Sequence, residues 1–151
     1  MKNLIIITIL FFITACGYTS VYKNKTIDLH INVLEMKGDN EFNNFIKNEI
    51  NLYSNDSSKN KYEINILSNY NKKTISKDAS GVATNFKVSL NAIISIINDG
   101  KAKEFEFNEE INITNNLDSF EQNNYERNIK KNFASSIREK LITKILNTND
   151  I

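Results

Sequence analysis

The sequence predicts an α+β fold, namely a two-layer sandwich of about four mainly antiparallel strands with two helices packed on one face. Three observations lead to this prediction. Apolar and polar residues alternate in four segments, which is typical of half-buried strands. Two further segments carry apolar residues at helical spacing. Their order is strand, helix, three strands, helix, and no repeat or linker divides them, so residues 26–147 are expected to form a single domain.

The first strand and the first helix are separated by a glycine. Apolar residues alternate with polar ones over residues 27–33, which predicts a strand with one buried face. After the break at Gly38, apolar residues recur at helical spacing and predict a helix over residues 40–53. Asp39 or Asn40 is expected to cap it, because both side chains accept hydrogen bonds from free amides.

The second and third strands are followed by two different kinds of connecting segment. Alternation predicts the second strand over residues 62–66 and a long third strand over residues 86–96. Between them, residues 71–81 contain three lysines and are expected to form a turn or an irregular strand segment. Asp99-Gly100 follows the third strand and predicts a two-residue hairpin, because glycine tolerates a positive φ.

The fourth strand is expected over residues 105–113, with one apolar and one polar face. Glu109 interrupts the apolar face and indicates a bulge or the rim of the sheet. A final helix of about 28 residues should follow, with Asp118 as its cap. Its apolar residues recur every four positions, so the stripe should wind round the helix beyond the reach of one sheet. The stripe comprises Tyr125, Ile129, Phe133, Ile137, Leu141 and Ile145, widened by Ala134, Ile142 and Leu146.

The N-terminus predicts a lipid anchor. The apolar run of residues 4–15 spans about 18 Å as a helix, whereas a bilayer core needs about 30 Å. It therefore fits a signal peptide over residues 1–15. The run ends in small residues before Cys16, the only cysteine, as in a bacterial lipobox. We expect Cys16 to be lipidated, residues 16–25 to be a tether, and the protein to be membrane-anchored through this lipid.

Composition and motifs exclude several function classes. A formal net charge of +1 does not fit a nucleic-acid-binding protein. One cysteine and one histidine leave no ligand set for a zinc site, and no cofactor motif occurs. His30 is out of phase with the apolar residues of its strand and should lie on the polar face. Adjacent Glu109 and Glu110 should point to opposite faces, so they form no acid–base pair. The sequence does not predict an enzyme.

Lys72, Lys73 and Lys77 lie near a turn at Gly81. A lysine group beside a glycine turn can hold the phosphates of a lipid head group. The alternative interpretation is a solvated turn in a lysine-rich chain.

Several features together resemble one protein family. Gly17-Tyr18 follows the lipobox, and Lys77 to Val88 (KDASGVATNFKV) has a glycine turn, small or hydroxyl residues, and an aromatic residue that opens a long strand. With the order of elements, these features resemble the LPS-assembly lipoprotein family, the LptE (RlpB) group. Two departures are the nearly neutral charge and the sequence stopping just after the last helix, without the tail that some members of the family have.

The resemblance implies an LptE-like domain and a function without catalysis. Such lipoproteins sit on the periplasmic side of the outer membrane and plug an LptD-type β-barrel, which they help to assemble. They also assist lipopolysaccharide delivery to the outer leaflet. Under this interpretation Lys72, Lys73 and Lys77 contact lipopolysaccharide phosphates.

Two other classes of function stay open at this point. One is an accessory envelope lipoprotein that binds a peptidoglycan synthase or a transporter subunit. The other is a small periplasmic enzyme with perturbed carboxylates in a cleft.

Overall fold

Four strands and two helices follow one another in the order that the sequence predicts. The structure is a computed structural model that describes residues 28–98 and 100–147. The predicted signal peptide and tether, including Cys16, lie outside these residues. The elements are β1 (His30–Lys37), α1 (Asn40–Asn51), β2 (Lys61–Lys77), β3 (Ala83–Asn98), β4 (Lys101–Thr114) and α2 (Ser119–Asn147).

The strands form one sheet in the order β1-β2-β3-β4. β2 pairs with β3, and β3 with β4, in antiparallel orientation. β1 runs parallel to β2 because α1 carries the chain back across the sheet between them. The sheet is therefore mixed, and the predicted antiparallel character holds for β2, β3 and β4.

The core lies between the helices and one face of the sheet, which we call the helix face. Phe42, Ile46 and Ile50 of α1 are completely buried there. Ile64 of β2 and Ile94 of β3 oppose them from the sheet and are equally buried. Burial of one such side chain contributes about 1.5–3 kcal/mol, so this layer accounts for much of the stability.

The long helix α2 buries most of its predicted stripe. The residues from Ile129 to Ile145 at four-residue spacing are at most 8% exposed, as are Ala134 and Ile142. Tyr125 and Leu146, at the two ends of the stripe, are 46% and 52% exposed. The stripe therefore leaves the core at Tyr125, as the predicted winding requires, whereas Ile145, its last member at four-residue spacing, is buried. No helix in the described part of the chain is both long and apolar enough to span a bilayer.

The predicted helix caps and hairpin are present. Asp39 caps α1 by accepting a 2.8 Å hydrogen bond from the Phe42 amide. Asp118 caps α2 by accepting hydrogen bonds from the amides of Phe120 and Glu121. Asn98 pairs with Lys101, so the β3–β4 hairpin has two connecting residues, of which Gly100 has a φ of +76°.

Two local predictions need correction. The segment 71–81 is mostly regular structure, since β2 continues to Lys77 and only a short turn precedes β3. Its irregularity is confined to register shifts beside Ser76. Glu109 marks no bulge, because β4 pairs with β3 in continuous register from Lys101 to Thr114. The alternative of a position at the rim agrees with β4 being an outermost strand of the sheet.

Candidate functional site: the open face of the sheet and its lysine edge

The helices leave the second face of the sheet uncovered, and we call this the open face. Its most regular feature is a row of three asparagines in register across three strands, Asn69, Asn91 and Asn108. Asn91 Nδ2 donates hydrogen bonds to Asn108 Oδ1 at 2.8 Å and to Glu106 Oε1 at 2.6 Å. These bonds orient the amides of Asn91 and Asn108 and leave further donors and acceptors of the row available to a partner.

A shallow depression of about 490 Å³ lies along this amide row. Asn71, Ser89 and Glu110 form the neighbouring register row and also line the depression. The lining is rich in amide, hydroxyl and carboxylate groups. Such a surface is suited to hydrogen bonding with another polar surface, and it has no aromatic platform on which a ring could stack.

Two further kinds of side chain lie on the open face. β4 contributes carboxylates, and Ser95 donates a 3.0 Å hydrogen bond to one of them, Glu104. Nearer the middle of the sheet, Leu67 and Ile93 are register partners, and Leu67 is 50% exposed. The open face is therefore mainly polar, with a small apolar patch where the sequence has apolar residues on both faces of β3.

The structure separates the three lysines that the sequence places together. Lys72 and Lys73 are neighbours in β2 and therefore point to opposite faces of the sheet. Lys72 lies on the helix face, where it forms an ion pair with Glu126 and lies 4.1 Å from the centroid of the Phe86 ring. Lys73 lies on the open face, in register with Lys87.

Lys73 and Lys77 are the accessible members of this group. Both are exposed, and neither makes an ion pair within the described part of the chain. Lys87, by contrast, is held by Glu110 at 2.7 Å. A cationic group is thus available at Lys73 and Lys77, whereas Lys72 would first have to release Glu126.

A second cluster of charges lies beneath the lysines, on the helix face. Lys130 Nζ bonds to Asp39 Oδ2 at 2.9 Å and to Glu41 Oε2 at 3.1 Å, and it lies 4.3 Å from the centroid of the Tyr70 ring. Burial acts to lower the pKa of Lys130, but the hydrogen bonds to Asp39 and Glu41 outweigh it and raise the pKa above its usual value. This cluster joins α1 to α2, and its central cation, the Lys130 side chain, is only 13% exposed.

His30 lies at the start of β1 and has no arrangement for catalysis. Its Nδ1 atom lies 3.3 Å from Ser54 Oγ and 3.2 Å from Asp56 Oδ1. A nucleophilic relay needs the serine and the carboxylate on different ring nitrogens, whereas here both approach the same one. In addition, Ser54 Oγ accepts a hydrogen bond from the Ile31 amide and so fixes the loop to β1.

The environment of Glu109 was not foreseen from the sequence. It lies on the helix face, where it accepts a hydrogen bond from Ser136 at 2.8 Å and pairs with Lys140. The apolar pattern of β4 is interrupted because α2 presents polar groups at this level. Among residues 28–98 and 100–147, no three His, Cys, Asp or Glu side chains come close enough to hold a metal ion.

The mixed four-stranded sheet with two helices on one face defines the class of the fold, which is that of a group of small bacterial lipoproteins. It is an LptE-like fold. Rare lipoprotein B from Shewanella oneidensis superposes with a TM-score of 0.58 at 13% identity, over 79% of this chain and 100% of that one.

Two other lipoprotein structures share this fold. A lipoprotein from Caulobacter crescentus matches with a TM-score of 0.52 at 11% identity, over 80% of this chain and 93% of that one. A minor lipoprotein from Acinetobacter baumannii matches with a TM-score of 0.51 at 10% identity, over 73% and 93%. At these identities the likeness concerns the fold. No protein-family profile and no curated protein matches the sequence.

Proposed function

We propose that this protein is an outer-membrane lipoprotein that plugs and helps to assemble an LptD-type β-barrel and assists lipopolysaccharide delivery to the outer leaflet. The observation that carries the proposal is the fold shared with rare lipoprotein B. The domain acts by binding rather than by catalysis. It lies on the periplasmic side of the membrane and is held there by lipid on Cys16.

The open face supports this proposal on physical grounds. The lumen of an outer-membrane barrel is polar, so a plug needs a polar surface that can satisfy the groups on the wall. The row Asn69, Asn91 and Asn108 offers amides that both donate and accept hydrogen bonds. An apolar surface of the same size would leave the groups on the wall without partners.

The proposal also covers lipopolysaccharide, whose phosphates would bind to the lysine group Lys72, Lys73 and Lys77. Lys73 and Lys77 are available without rearrangement, whereas Lys72 requires the loss of its ion pair with Glu126. Phosphate contacts through lysine are charge-assisted and non-directional, so exposed side chains suffice for them.

The decisive experiment is a copurification. We would tag the chain after Ile151, extract outer membranes in mild detergent, and identify what copurifies at a one-to-one ratio. The expected result is a large β-barrel that survives washing. A soluble peptidoglycan synthase or a transporter subunit at that ratio would instead establish the accessory-lipoprotein function and overturn the plug.

The anchor is tested separately with a Cys16→Ser variant. Because only a thiol can carry the diacylglycerol, this variant should lose labelling by radioactive palmitate and should leave the membrane fraction. A variant that remains labelled and sedimentable would contradict lipidation at Cys16. The experiment leaves the barrel proposal untouched, since a soluble plug can still be tested by binding in detergent.

A further inference from the structure

β2 extends well beyond the strand that covers its outer edge. The last pair between β1 and β2 is Lys37 with Leu67, whereas β2 continues to Lys77. Gly38 then lies against the carbonyl of Ser68, which closes the covered part of the edge. From Asn69 onward, no strand in the described part of the chain pairs with this side of β2.

The open part of this edge begins with a regular strand of ordinary length. Residues 69–74 pair with β3 in unbroken register, from Asn69 with Asn91 to Thr74 with Phe86, and the first register shift follows at once. Six residues is a usual strand length. In an antiparallel strand about half of the backbone groups point away from the partner, so this edge presents unpaired N–H and C=O groups. Residues 71–75 are also exposed on both faces.

The charges along this edge are unbalanced at one position. Lys72 is neutralised by Glu126. Lys73 lies in register with Lys87, and the only carboxylate there, Glu110, is bound to Lys87. Lys73 is therefore the lysine of residues 69–74 that has no carboxylate partner in the described part of the chain. A carboxylate placed opposite it on an added strand would form a favourable cross-strand charge pair.

We propose that the outer edge of residues 69–74 binds an extended acidic segment of a partner protein by strand addition, with an Asp or Glu beside Lys73. The backbone hydrogen bonds supply affinity, and the cross-strand charge pair fixes the register. The lysines disfavour a second copy, because two such edges would bring four lysines into one short ladder. This inference rests on the uncovered edge and not on the barrel proposal.

Exchange of the backbone amides distinguishes strand addition at this edge from the binding of a lipid phosphate. A phosphate group would contact the Lys73 side chain and leave the backbone amides of residues 69–74 exchanging with water. An added strand would protect about half of these amides. A phosphate and a carboxylate cannot occupy Lys73 at the same time, and exchange of the amides shows which of the two is bound.

The test is amide hydrogen exchange, measured by NMR on the full chain in detergent micelles. The probe is an octapeptide of alternating threonine and glutamate. The controls are the same peptide N-methylated at alternate residues, and an octapeptide of threonine and lysine. We expect only the unmethylated acidic peptide to slow exchange, and only within residues 69–74.

A charge exchange makes the test specific for Lys73. Lys73→Glu should weaken binding of the acidic peptide by about fivefold and strengthen binding of the lysine peptide, as expected for a cross-strand charge pair. Lys77→Glu is the matched control, because Lys77 lies beyond the regular edge. It should change the binding of either peptide less than Lys73→Glu does.

Three results would overturn the proposal. The first is equal protection of the amides of residues 69–74 by the acidic peptide and by the lysine peptide. The second is protection without peptide that grows with protein concentration, which identifies a second copy as the occupant. The third is inorganic phosphate shifting the Lys73 side-chain resonances while no peptide protects the edge. In each case, copurification of a barrel with the unsubstituted chain, measured separately, would leave the barrel proposal intact.

Discussion

At the scale of single residues, Tyr70 carries one of the two buried side-chain polar atoms that lack a hydrogen-bond partner in the described part of the chain, the other being Arg138 Nε. Its hydroxyl is buried and has no hydrogen-bond partner among these residues. Burial raises the pKa of Tyr70, and the negative charges of Glu126, Asp39 and Glu41 raise it further. The ring itself is well placed, since Lys130 Nζ lies 4.3 Å from its centroid. The Tyr70 ring thus stabilises the folded protein, whereas its buried hydroxyl destabilises it.

We therefore expect Tyr70→Phe to stabilise the protein. The substitution keeps the ring under Lys130 and removes an unsatisfied buried group, which should raise the free energy of unfolding by about 1 kcal/mol. Urea denaturation measures this change. The matched control is Tyr53→Phe, whose ring also lies beneath a cation, Arg138, at 4.3 Å. A loss of stability in Tyr70→Phe would show that the hydroxyl has a partner after all.

The lysine group shows what the sequence can and cannot predict about individual residues. The prediction that Lys72, Lys73 and Lys77 act together treats the segment as a turn, in which neighbouring side chains can converge. In a strand, Lys72 and Lys73 must point to opposite faces. The partner of Lys72, Glu126, lies 54 residues further along the chain, and no local pattern indicates such a pairing.

At the scale of elements, the junction from β1 to α1 depends on one glycine. Gly38 has a φ of +100°, and a Cβ atom there would lie 1.7 Å from the Ser68 carbonyl oxygen. The close approach lets the Asp39 amide donate to Ser68 Oγ at 3.0 Å, and this bond fixes α1 against β2. Any side chain at position 38 must push the strand and the helix apart.

Gly38→Ala should consequently be strongly destabilising. We expect a loss of about 3 kcal/mol or more, from a left-handed backbone combined with a clash against main chain. Gly100→Ala is the control, because its φ of +76° is similar but its Cβ would meet no atom within 4 Å. That variant should lose only about 1–2 kcal/mol. Equal losses in thermal or urea unfolding would refute the role of the close approach.

The contact between α1 and α2 should make stability depend on alkaline pH. The pKa of Lys130 is raised in the folded protein, so its contribution is complete below about pH 10.4, the usual lysine value. That contribution is lost as the pH rises through the folded-state pKa, because the neutral amine no longer holds Asp39 and Glu41. Tyr70, whose pKa is also raised, adds a loss in the same direction.

This dependence is measured by urea unfolding at pH 8 and pH 11. We expect the Tyr70→Phe protein to be less stable at pH 11 than at pH 8. The double variant Tyr70→Phe with Lys130→Met should show a smaller decrease. At pH 8 the additional Lys130→Met substitution should cost about 1–3 kcal/mol, because two partly buried carboxylates lose their partner. Identical pH dependence in the two proteins would show that other groups cause the effect.

Strands could be predicted from the sequence where one of their faces is buried and the other is exposed to solvent. β3 and β4 alternate clearly because the helices cover only one of their faces. Residues 71–75 are exposed on both faces, so no alternation marks them, although they continue β2. The parallel pairing of β1 with β2 could not be predicted from the sequence either, because it depends on the path of α1 across the sheet and not on either strand alone.

At the scale of the whole molecule, the sheet separates two kinds of surface. The helix face carries the core and a charge network that joins the two helices, including Arg138 of α2, which is paired with Glu49 of α1 at 3.3 Å. The open face carries amides and carboxylates and has no covering layer among the described elements. A domain stabilised entirely from one side can present the other side to a partner without losing its fold.

The open face should therefore tolerate substitutions that disturb binding. We expect Asn91→Arg to change the free energy of unfolding by about 1 kcal/mol or less, because Asn91 contributes hydrogen bonds only to exposed groups. If the proposed barrel partner binds this face, the same variant should reduce its copurification, since a bulky cation in the centre of the amide row prevents close contact with a polar wall. Asn44→Arg, at an exposed position of α1, is the matched control for added size and charge. If Asn44→Arg abolishes copurification and Asn91→Arg does not, the helical layer is the binding surface and the open face is not.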